Sequence, residues 1–422
     1  MSFTRFIALR YFVSKKRHRF ISLLSFISVF AVAVGVFALI VVISVMNGFQ
    51  FDLRDKILGS KGHIQVQSLF NDGITDYENL IKEIEKDPDV IGASPFFTGQ
   101  VMLKTGSDIK GAAIFGVEPE YEKKVTELDK YITKGSLDNI NNDELTGITD
   151  DGDEITAPGI VLGSELALIL GLGVGDVLKI FSPVFSAILP DGTPIPKVMN
   201  FVVCGVVKTG LYEYDLTFTY VSLNSYRKLF NLPDKVSGIQ IRVKNPFHAR
   251  IVAERLEPKL PERLIVRDWM EMNSNLFAAL STEKRVMFII LFCIVIVAAF
   301  SIISTLIMLV MEKTKDIGIL RAMGATEKMI RSIFIIQGML ISSIGIVLGF
   351  IMGILTNELI KDKLPIPGGG TVYYIKTIPV KMVLYPDFTY IILGTLLISF
   401  IFSYLPALGA SKLSPIEAIR HE

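Results

Sequence analysis

The chain has 422 residues, of which 50% are apolar and only 20% charged, and its formal net charge is +1. Its mean hydropathy of +0.49 is too high for an ordinary soluble protein of this size. The composition indicates a membrane protein with a large soluble part, and no nucleic-acid partner is expected.

Four stretches contain no Asp, Glu, Lys or Arg: Phe20 to Phe51, Val286 to Met311, Ser332 to Asn357 and Phe388 to Ser411. Each can cross a hydrocarbon core about 30 Å thick as a helix rising about 1.5 Å per residue. In lipid the backbone must satisfy its own hydrogen bonds, so these runs are read as helices. The predicted fold is membrane α-helical, with transmembrane spans at 20–51, 286–311, 332–357 and 388–411. A large extracytoplasmic α+β domain, 52–285, is inserted between spans one and two. The remaining segments are a start at 1–19, a short cytoplasmic connection at 312–331, an outer loop at 358–387 and a tail at 412–422.

Orientation follows from the flanks. Arg5, Arg10, Lys15, Lys16, Arg17 and Arg19 precede the first span without an acidic residue to offset them, which places the amino terminus in the cytoplasm. Four crossings then return the tail there too. Lys284 and Arg285 run against this trend, on the outer side of span two. A cleaved signal peptide is the rival reading of the first 46 residues, but its apolar core is normally about 7–15 residues and this one is far longer.

In the outer part, HIQVQSL (His63 to Leu69) alternates as a strand does, and Tyr77 to Phe97 reads as a helix stopped near Pro88 and then a strand. Gly159 to Pro183 reads as strand, short helix, Gly-rich turn and strand, and Ser237 to Trp269 as the strand, helix and strand of a split βαβ unit. Two lobes are expected, one from residues near 50–115 and 230–270 and another from the middle. The acidic stretch Asn141 to Glu154 is read as a solvated loop, without the spacing of an EF-hand. The segment 181–201 sets Pro183, Pro190, Pro194 and Pro196 around an Asp191-Gly192 turn between two strands. Asp-Gly is a hairpin signal, and prolines keep a ribbon out of a sheet interior. A hairpin displaying Val184, Phe185, Ile188 and Leu189 either projects towards a partner or folds back on its own domain.

Residues that carry chemistry are scarce. Cys204 falls in the outer domain and Cys293 in span two, so the two are not expected to bond to each other. The four histidines, His18, His63, His248 and His421, are scattered, so neither catalytic nor metal-binding residues are predicted. No Gly-Lys pair occurs anywhere, which rules out a G-x-x-x-x-G-K-[ST] phosphate loop. Energy from a nucleotide must reach this chain through another subunit. PIPGGGTV (Pro365 to Val372) is read as a plain loop between spans three and four.

Between spans two and three lies MEKTKDIGILRAMGATEK (Met311 to Lys328). Residues 312–323 favour a helix, with Ile317, Leu320 and Met323 near one face. Gly324 offers the stop, and Thr326-Glu327 suits the start of the next helix. A short amphipathic helix tied to two spans suits seating in a groove of a moving partner, or lying on lipid headgroups.

VMEKTKDIGILRAMGAT resembles the coupling segment of FtsX-like permeases, the membrane subunits of MacB-type ABC transporters. The resemblance narrows to the lipoprotein-releasing permeases, the LolC, LolE and LolF proteins, and spans nearly the whole chain. It is carried by IALRYFVSKKRHRFISLLSFISV, VISVMNGFQFDLRDKILG, GIVLGSELALILGLGVGD, WMEMNSNLFAALSTEKRVMFIILFCIVIVAAFSI and SPIEAIRHE. Asp316 stands where the coupling pattern more often has Glu, which preserves the charge.

The resemblance implies a multi-pass protein of the bacterial inner membrane with both termini cytoplasmic and its large domain periplasmic. The partners implied are a LolD-like ATPase dimer, a second permease subunit, a LolA-like periplasmic chaperone, lipoprotein substrates and membrane lipid. The second permease would be either another copy of this chain or a sister subunit. ATP and magnesium would be held by the ATPase, with no cofactor in this chain. Residue by residue, Glu312, Lys313, Asp316, Ile317, Ile319, Leu320, Arg321 and Gly324 match the ATPase-coupling segment. The hairpin from Pro183 to Pro196 lies where LolC and LolF members carry a chaperone-binding hook, with Pro183, Val184, Phe185, Ile188, Leu189, Pro190, Pro194 and Pro196 as candidate contacts. Met46, Asn47, Gly48 and Phe49 match the MNGF near which the family admits lipoprotein; a tight exit turn with helix packing is the alternative role. FTRFIALRYF (Phe3 to Phe12) resembles the family's interfacial helix, with Arg5 and Arg10 toward headgroups and Phe6, Leu9 and Phe12 toward the acyl boundary.

Two rival functions remain. A MacB-like efflux permease would carry a fused ATPase domain or need an outer-membrane tunnel, whereas this chain starts almost directly at span one. An FtsX-like non-transporting switch would have a much smaller outer domain and no hairpin of this kind.

Overall fold

The computed structural model describes residues 4, 6–8, 19–70, 72–106, 108–149, 151–188, 194–361, 363–365 and 377–413. The chain forms two compact units. One contains residues 1–51, 278–365 and 377–422; the other contains 52–277 and 366–376.

The first long helix, α1 (Arg19–Ser60), does not stop where its uncharged run ends. It continues through DLRDKILGS, where the Asp52 carboxylate and the Lys56 ammonium, one turn apart, pair at 2.9 Å. No exit turn forms at MNGF.

The outer unit begins with β1 (Ile64–Ser68), α2 (Tyr77–Ile84), β2 (Val90–Thr105), β3 (Asp108–Val117) and α3 (Pro119–Val125). Then come β4 (Ile132–Gly135), β5 (Leu145–Ile148), β6 (Glu154–Ala157), β7 (Gly159–Gly163), α4 (Ser164–Leu170), β8 (Val177–Ile188) and β9 (Pro194–Val207). It closes with α5 (Tyr212–Thr217), β10 (Phe218–Ser222), α6 (Leu223–Phe230), β11 (Gly238–Val243), α7 (Ala249–Leu256) and β12 (Leu264–Asp268).

Two arrangements share β2. In the first, β12, β1, β11 and β2 lie side by side, all antiparallel, and α2 and α7 supply the crossovers. This is a ferredoxin-like split βαβ lobe. Alternation in β1 sends Ile64 and Val66 into a core with Ile81, Ile84, Ile241 and Val252. In the second, the ladder runs β2–β3–β10–β7–β9–β8 and returns to β2, because β8 pairs with both β9 and β2. Six strands thus close a small barrel, filled by side chains such as Leu103, Ile114, Ile160, Leu162, Leu178 and Phe201. The acidic stretch expected to be a solvated loop is largely exposed, but it contains β5 and the start of β6, paired as a hairpin. Its acidic residues mask the apolar positions Leu145, Ile155 and Ala157, which pack on Val177 and Val202.

Buried ionisable groups tie the first lobe together. Glu122 is buried and accepts hydrogen bonds from Ser94 Oγ at 2.9 Å and Thr126 Oγ1 at 3.0 Å; its burial raises the carboxyl pKa. His63 Nδ1 accepts from the Val243 N–H at 3.2 Å. Burial first, and the positive charge of Arg242 second, bring the His63 pKa down to about 4. The Cys204 thiol, pushed up to about 12 by burial, is an inert core group.

The second unit contains the greater part of α1 with α8 (Ser274–Glu312), α9 (Thr314–Ala322), α10 (Glu327–Ile360) and α11 (Thr389–Ser411). Of these, α1, α8, α10 and the stretch ending in α11 are long and apolar enough to cross a membrane. The seam between α1 and α10 is built on glycine. A Cβ on Gly345 would stand 2.8 Å from Val32 Cβ, on Gly349 2.4 Å from the Ala33 carbonyl oxygen, and on Gly353 2.8 Å from Ile40. Close backbone approach of this kind drives helix association where lipid removes the hydrophobic incentive. On the other side of α1, Ser28 Oγ meets Thr305 Oγ1 at 2.6 Å and donates to the Ser301 carbonyl at 3.0 Å, joining α1 to α8.

Gly349→Ala should separate α1 from α10. Alanine favours a helix by about 1 kcal/mol over glycine, but the clash is with backbone and overpacking costs about 1–3 kcal/mol. We expect a lower melting temperature in detergent for Gly349→Ala and none of that loss for Gly394→Ala, whose Cβ would meet nothing within 4 Å. His63 predicts an acid limit for the outer unit. A base whose folded pKa lies below its unfolded value stabilises the fold above pH 6.5, and this contribution is lost as pH falls towards about 4. The raised pKa of Glu122 acts in the opposite sense, so comparing wild type with His63→Gln isolates the histidine. Chemical denaturation of the full-length protein should show a steeper loss between pH 6.5 and 4.5 in wild type than in His63→Gln.

Candidate functional site

The segment between spans two and three is a separate helix. Lys313 leaves helical geometry after α8, α9 runs from Thr314 to Ala322, and Gly324 turns the chain at φ +96. Thr326 then caps α10, its Oγ1 accepting from the Met329 N–H at 3.3 Å. Ile317 is buried with Leu309, Ile330, Ile333, Phe334, Ala407 and Ala410, and Leu320 packs at the margin of this cluster. Arg321 Nη1 donates to the carbonyl oxygens of Ser411 at 2.9 Å and Leu413 at 2.7 Å, satisfying the open C-terminal end of α11. Lys313 pairs with Asp316 at 3.2 Å, and Glu312 is half-buried.

The exposed side of α9 is therefore Lys315, Ile319, Ala322 and Met323, spaced as one helical stripe, with Gly324 beyond it. Ile319 is 48% and Met323 79% exposed. Of the residues matched to a coupling segment, Ile317, Leu320 and Arg321 serve the protein's own packing, whereas Ile319 and Gly324 lie on the surface. Met323, grouped from the sequence with Ile317 and Leu320, points out: four residues beyond Ile319, it continues the exposed stripe. Lys315 and Ala322 join the stripe only once the inward face is fixed by α10 and α11. At the amino terminus, Ala8 is buried in the same cluster and Phe6 is 52% exposed. Arg5, Leu9, Arg10 and Phe12 lie outside the described residues.

The hairpin is the continuation of β8 and β9 beyond the barrel. The ladder pairs Phe181 with Val198, shifts register through Ser182–Val184, and resumes at Phe185 opposite Pro196, ending at Ile188 and Pro194. A bulge is where a proline lacking its N–H can sit, and Pro183 occupies this one. Val184 packs against the core, while Phe185 is 57% exposed and Pro183 is exposed. Leu189, Pro190 and the Asp191-Gly192 turn lie outside the described residues. At the hairpin base an open, mainly apolar groove of about 860 Å³ is lined by Met102 and Ala112 with Phe181, Pro183, Phe185 and Pro196. Met102 carries no local signal for this; barrel closure brings β2 beside β8.

The MNGF residues lie inside α1 rather than at its end. Asn47 and Gly48 are buried, and Met46 and Phe49 are half-buried. A Cβ on Gly48 would stand 2.1 Å from the Pro379 carbonyl oxygen, so only glycine lets the chain before α11 cross here. The Lys381 N–H donates to the Ser44 carbonyl at 2.9 Å. Asn47 Nδ2 donates to Asp387 Oδ2 at 2.6 Å, and Lys284 Nζ donates to Asn47 Oδ1 at 3.2 Å. Lys284 was the charge that ran against the orientation trend; its partner Asp387 lies 3.7 Å away.

Comparison with known proteins agrees with this architecture. Residues 25–259 match the MacB-like periplasmic core domain, and residues 288–415 match the FtsX-like permease C-terminal family. The lipoprotein-releasing system transmembrane protein LolC of Neisseria meningitidis serogroup B is 33% identical, with the alignment covering 100% of both chains. LolC of Xylella fastidiosa is 34% identical over 99% of this chain and 98% of its own. LolE of Haemophilus influenzae, a lipoprotein-releasing system transmembrane protein as well, is 28% identical over 98% of each. A four-span membrane protein with a MacB-like periplasmic domain between its first two spans, this chain belongs to the LolC/LolE family of lipoprotein-releasing system transmembrane proteins.

Proposed function

We propose that this chain is the permease subunit of an ATP-driven complex. The complex extracts lipoproteins from the outer leaflet of the bacterial inner membrane and hands them to a LolA-like periplasmic chaperone. The reading is supported above all by α9: a short helix locked to the ends of α8, α10 and α11 while one stripe stays exposed. The termini and α9 are cytoplasmic in this reading. A LolD-like ATPase dimer receives Lys315, Ile319 and Met323, and the fixed residues Ile317 and Arg321 pass its movement to three spans at once. The chain has no Gly-Lys pair, so ATP and magnesium belong to the ATPase. The second permease subunit is another copy or a sister chain.

The energetics favour an ATP-driven step. Each buried methylene contributes about 0.8 kcal/mol, so withdrawing an acyl chain of ~16 carbons costs on the order of 10 kcal/mol. Lipid-anchored cargo enters from the membrane near the outer end of α1 and leaves into the periplasm, so no transmembrane pore is required. The hairpin with its apolar groove suits a chaperone that must sit beside the cargo's exit.

The test is reconstitution with the cognate ATPase in liposomes holding a triacylated lipoprotein, scored by ATP-dependent transfer to soluble chaperone. Intact complex should transfer. Removing Pro183 to Pro196 should abolish transfer while leaving ATP hydrolysis. Ile319→Asp with Met323→Asp should weaken ATPase binding without lowering the melting temperature. Arg321→Ala should instead destabilise the fold by about 1.5–3 kcal/mol, because it leaves two carbonyls without their charged donor. ATP hydrolysis with no transfer, even after a sister subunit is added, would favour a non-transporting switch.

A further inference from the structure

The cluster of Asn47, Lys284 and Asp387 is more than helix packing requires. It brings together three elements far apart in sequence: α1, the outer end of α8, and the wide turn Leu384–Phe388 that leads into α11. Asn47 is 3% exposed and the Asp387 side chain 14%, so the amide–carboxylate contact is shielded from water, while the Lys284 side chain, 43% exposed, closes it from the open side. An asparagine is suited to this place because one amide both donates and accepts. Here its Nδ2 donates to Asp387 and its Oδ1 accepts from Lys284, while the ammonium and carboxylate lie 3.7 Å apart. Neighbouring contacts reinforce the same junction. Gly48 admits the Pro379 backbone, Lys381 bonds to Ser44, the Lys381 ammonium lies 5.3 Å over the Phe51 ring, and Gln50 Nε2 reaches the Leu280 carbonyl at 3.4 Å.

We propose that Asn47, Lys284 and Asp387 form a polar clamp that holds the periplasmic ends of spans one, two and four together during the transport cycle. Movement delivered at α9 enters spans two and three directly. It reaches span one through the glycine seam with span three and through side chains of span two, at Ser28–Thr305 near one end and at this clamp near the other. Without the clamp, the outer ends of α1 and α8 separate, and movement at the cytoplasmic end no longer closes the space around the cargo. ATP hydrolysis then continues without lipoprotein release. The three residues are positioning residues: they touch neither nucleotide nor, on this proposal, cargo. Removing Lys284 leaves the Asp387 carboxylate shielded without its counter-charge, and removing Asp387 leaves the Asn47 Nδ2 without its acceptor, whereas exchanging the two charges preserves the pair, with the Asn47 amide rotated to suit.

The transport consequence rests on the function proposed above, so the test has one readout that needs no cargo. In the full complex, with Cys204 and Cys293 replaced by serine, cysteines at Gln50 and Leu280 report the proximity of α1 and α8 by disulfide formation. Adding Asp387→Asn or Lys284→Met should cut cross-linking and cut lipoprotein transfer roughly tenfold, while ATP hydrolysis is kept. Lys284→Asp combined with Asp387→Lys should restore both. A purely structural role predicts that melting temperature, hydrolysis and transfer fall together; that pattern overturns the proposal, as does undiminished cross-linking in the single variants. Reduced cross-linking restored by the charge exchange, in a complex whose unmodified form transfers no lipoprotein, upholds the clamp and refutes the proposed cargo.

Discussion

The structure of the membrane unit depends on how closely α1 can approach α10. In lipid, apolar side chains gain nothing by leaving their surroundings for one another, so helices associate through contact area and polar bonds. Gly345, Gly349 and Gly353 remove three successive side chains from one face of α10, and Val32, Ala33, Val36 and Ile40 fill the channel. With α1 seated there, its rotation is fixed, and so is the direction in which Ser28, Asn47 and Gly48 point. Ser28 then meets α8, Gly48 admits the chain before α11, and Asn47 bridges Lys284 and Asp387. One seam thus sets the polar contacts at both ends of the uncharged run of α1.

The same logic of fixing one face to free another applies to α9. A helix this short has little stability alone. Ile317 in the core and Arg321 on the end of α11 hold it, and the held face determines the offered one. An exposed apolar stripe at Ile319 and Met323 is poorly placed against water but well placed against another protein.

Legibility in the sequence followed the range of the forces involved. The spans and the strands at His63–Leu69 and Ser237–Trp269 could be read because hydropathy and alternation are local. The Gly324 turn and the Thr326 cap were local too. Barrel closure was not, because β8 pairs with β2 and β9 through contacts that no window of residues contains. The acidic run concealed β5 and β6, since the few apolar residues that anchor the hairpin are outnumbered by its charges. The candidate site was legible as segments but not as faces. MEKTKDIGILRAMGAT located α9, yet which of its side chains turn inward depends on α10, α11 and the tail beyond Ser411. Lys284 read as an exception to orientation until Asp387, more than a hundred residues away, supplied its counter-charge.

Barrel closure also bears on how this protein can change over generations. The ladder from Val177 to Phe181 is held by β2 on one side and β9 on the other, and β9 is held in turn by β7. The part of β8 that belongs to the barrel ends at Phe181, before the chain reaches Phe185, and the barrel is rejoined in β9 from Val198. Between those points Phe185 is exposed and Pro196 half-buried, so substitutions at them escape much of the purifying pressure that packing places on a core. The hairpin can therefore drift in step with whatever it meets, and two related chains can share a barrel while addressing different partners.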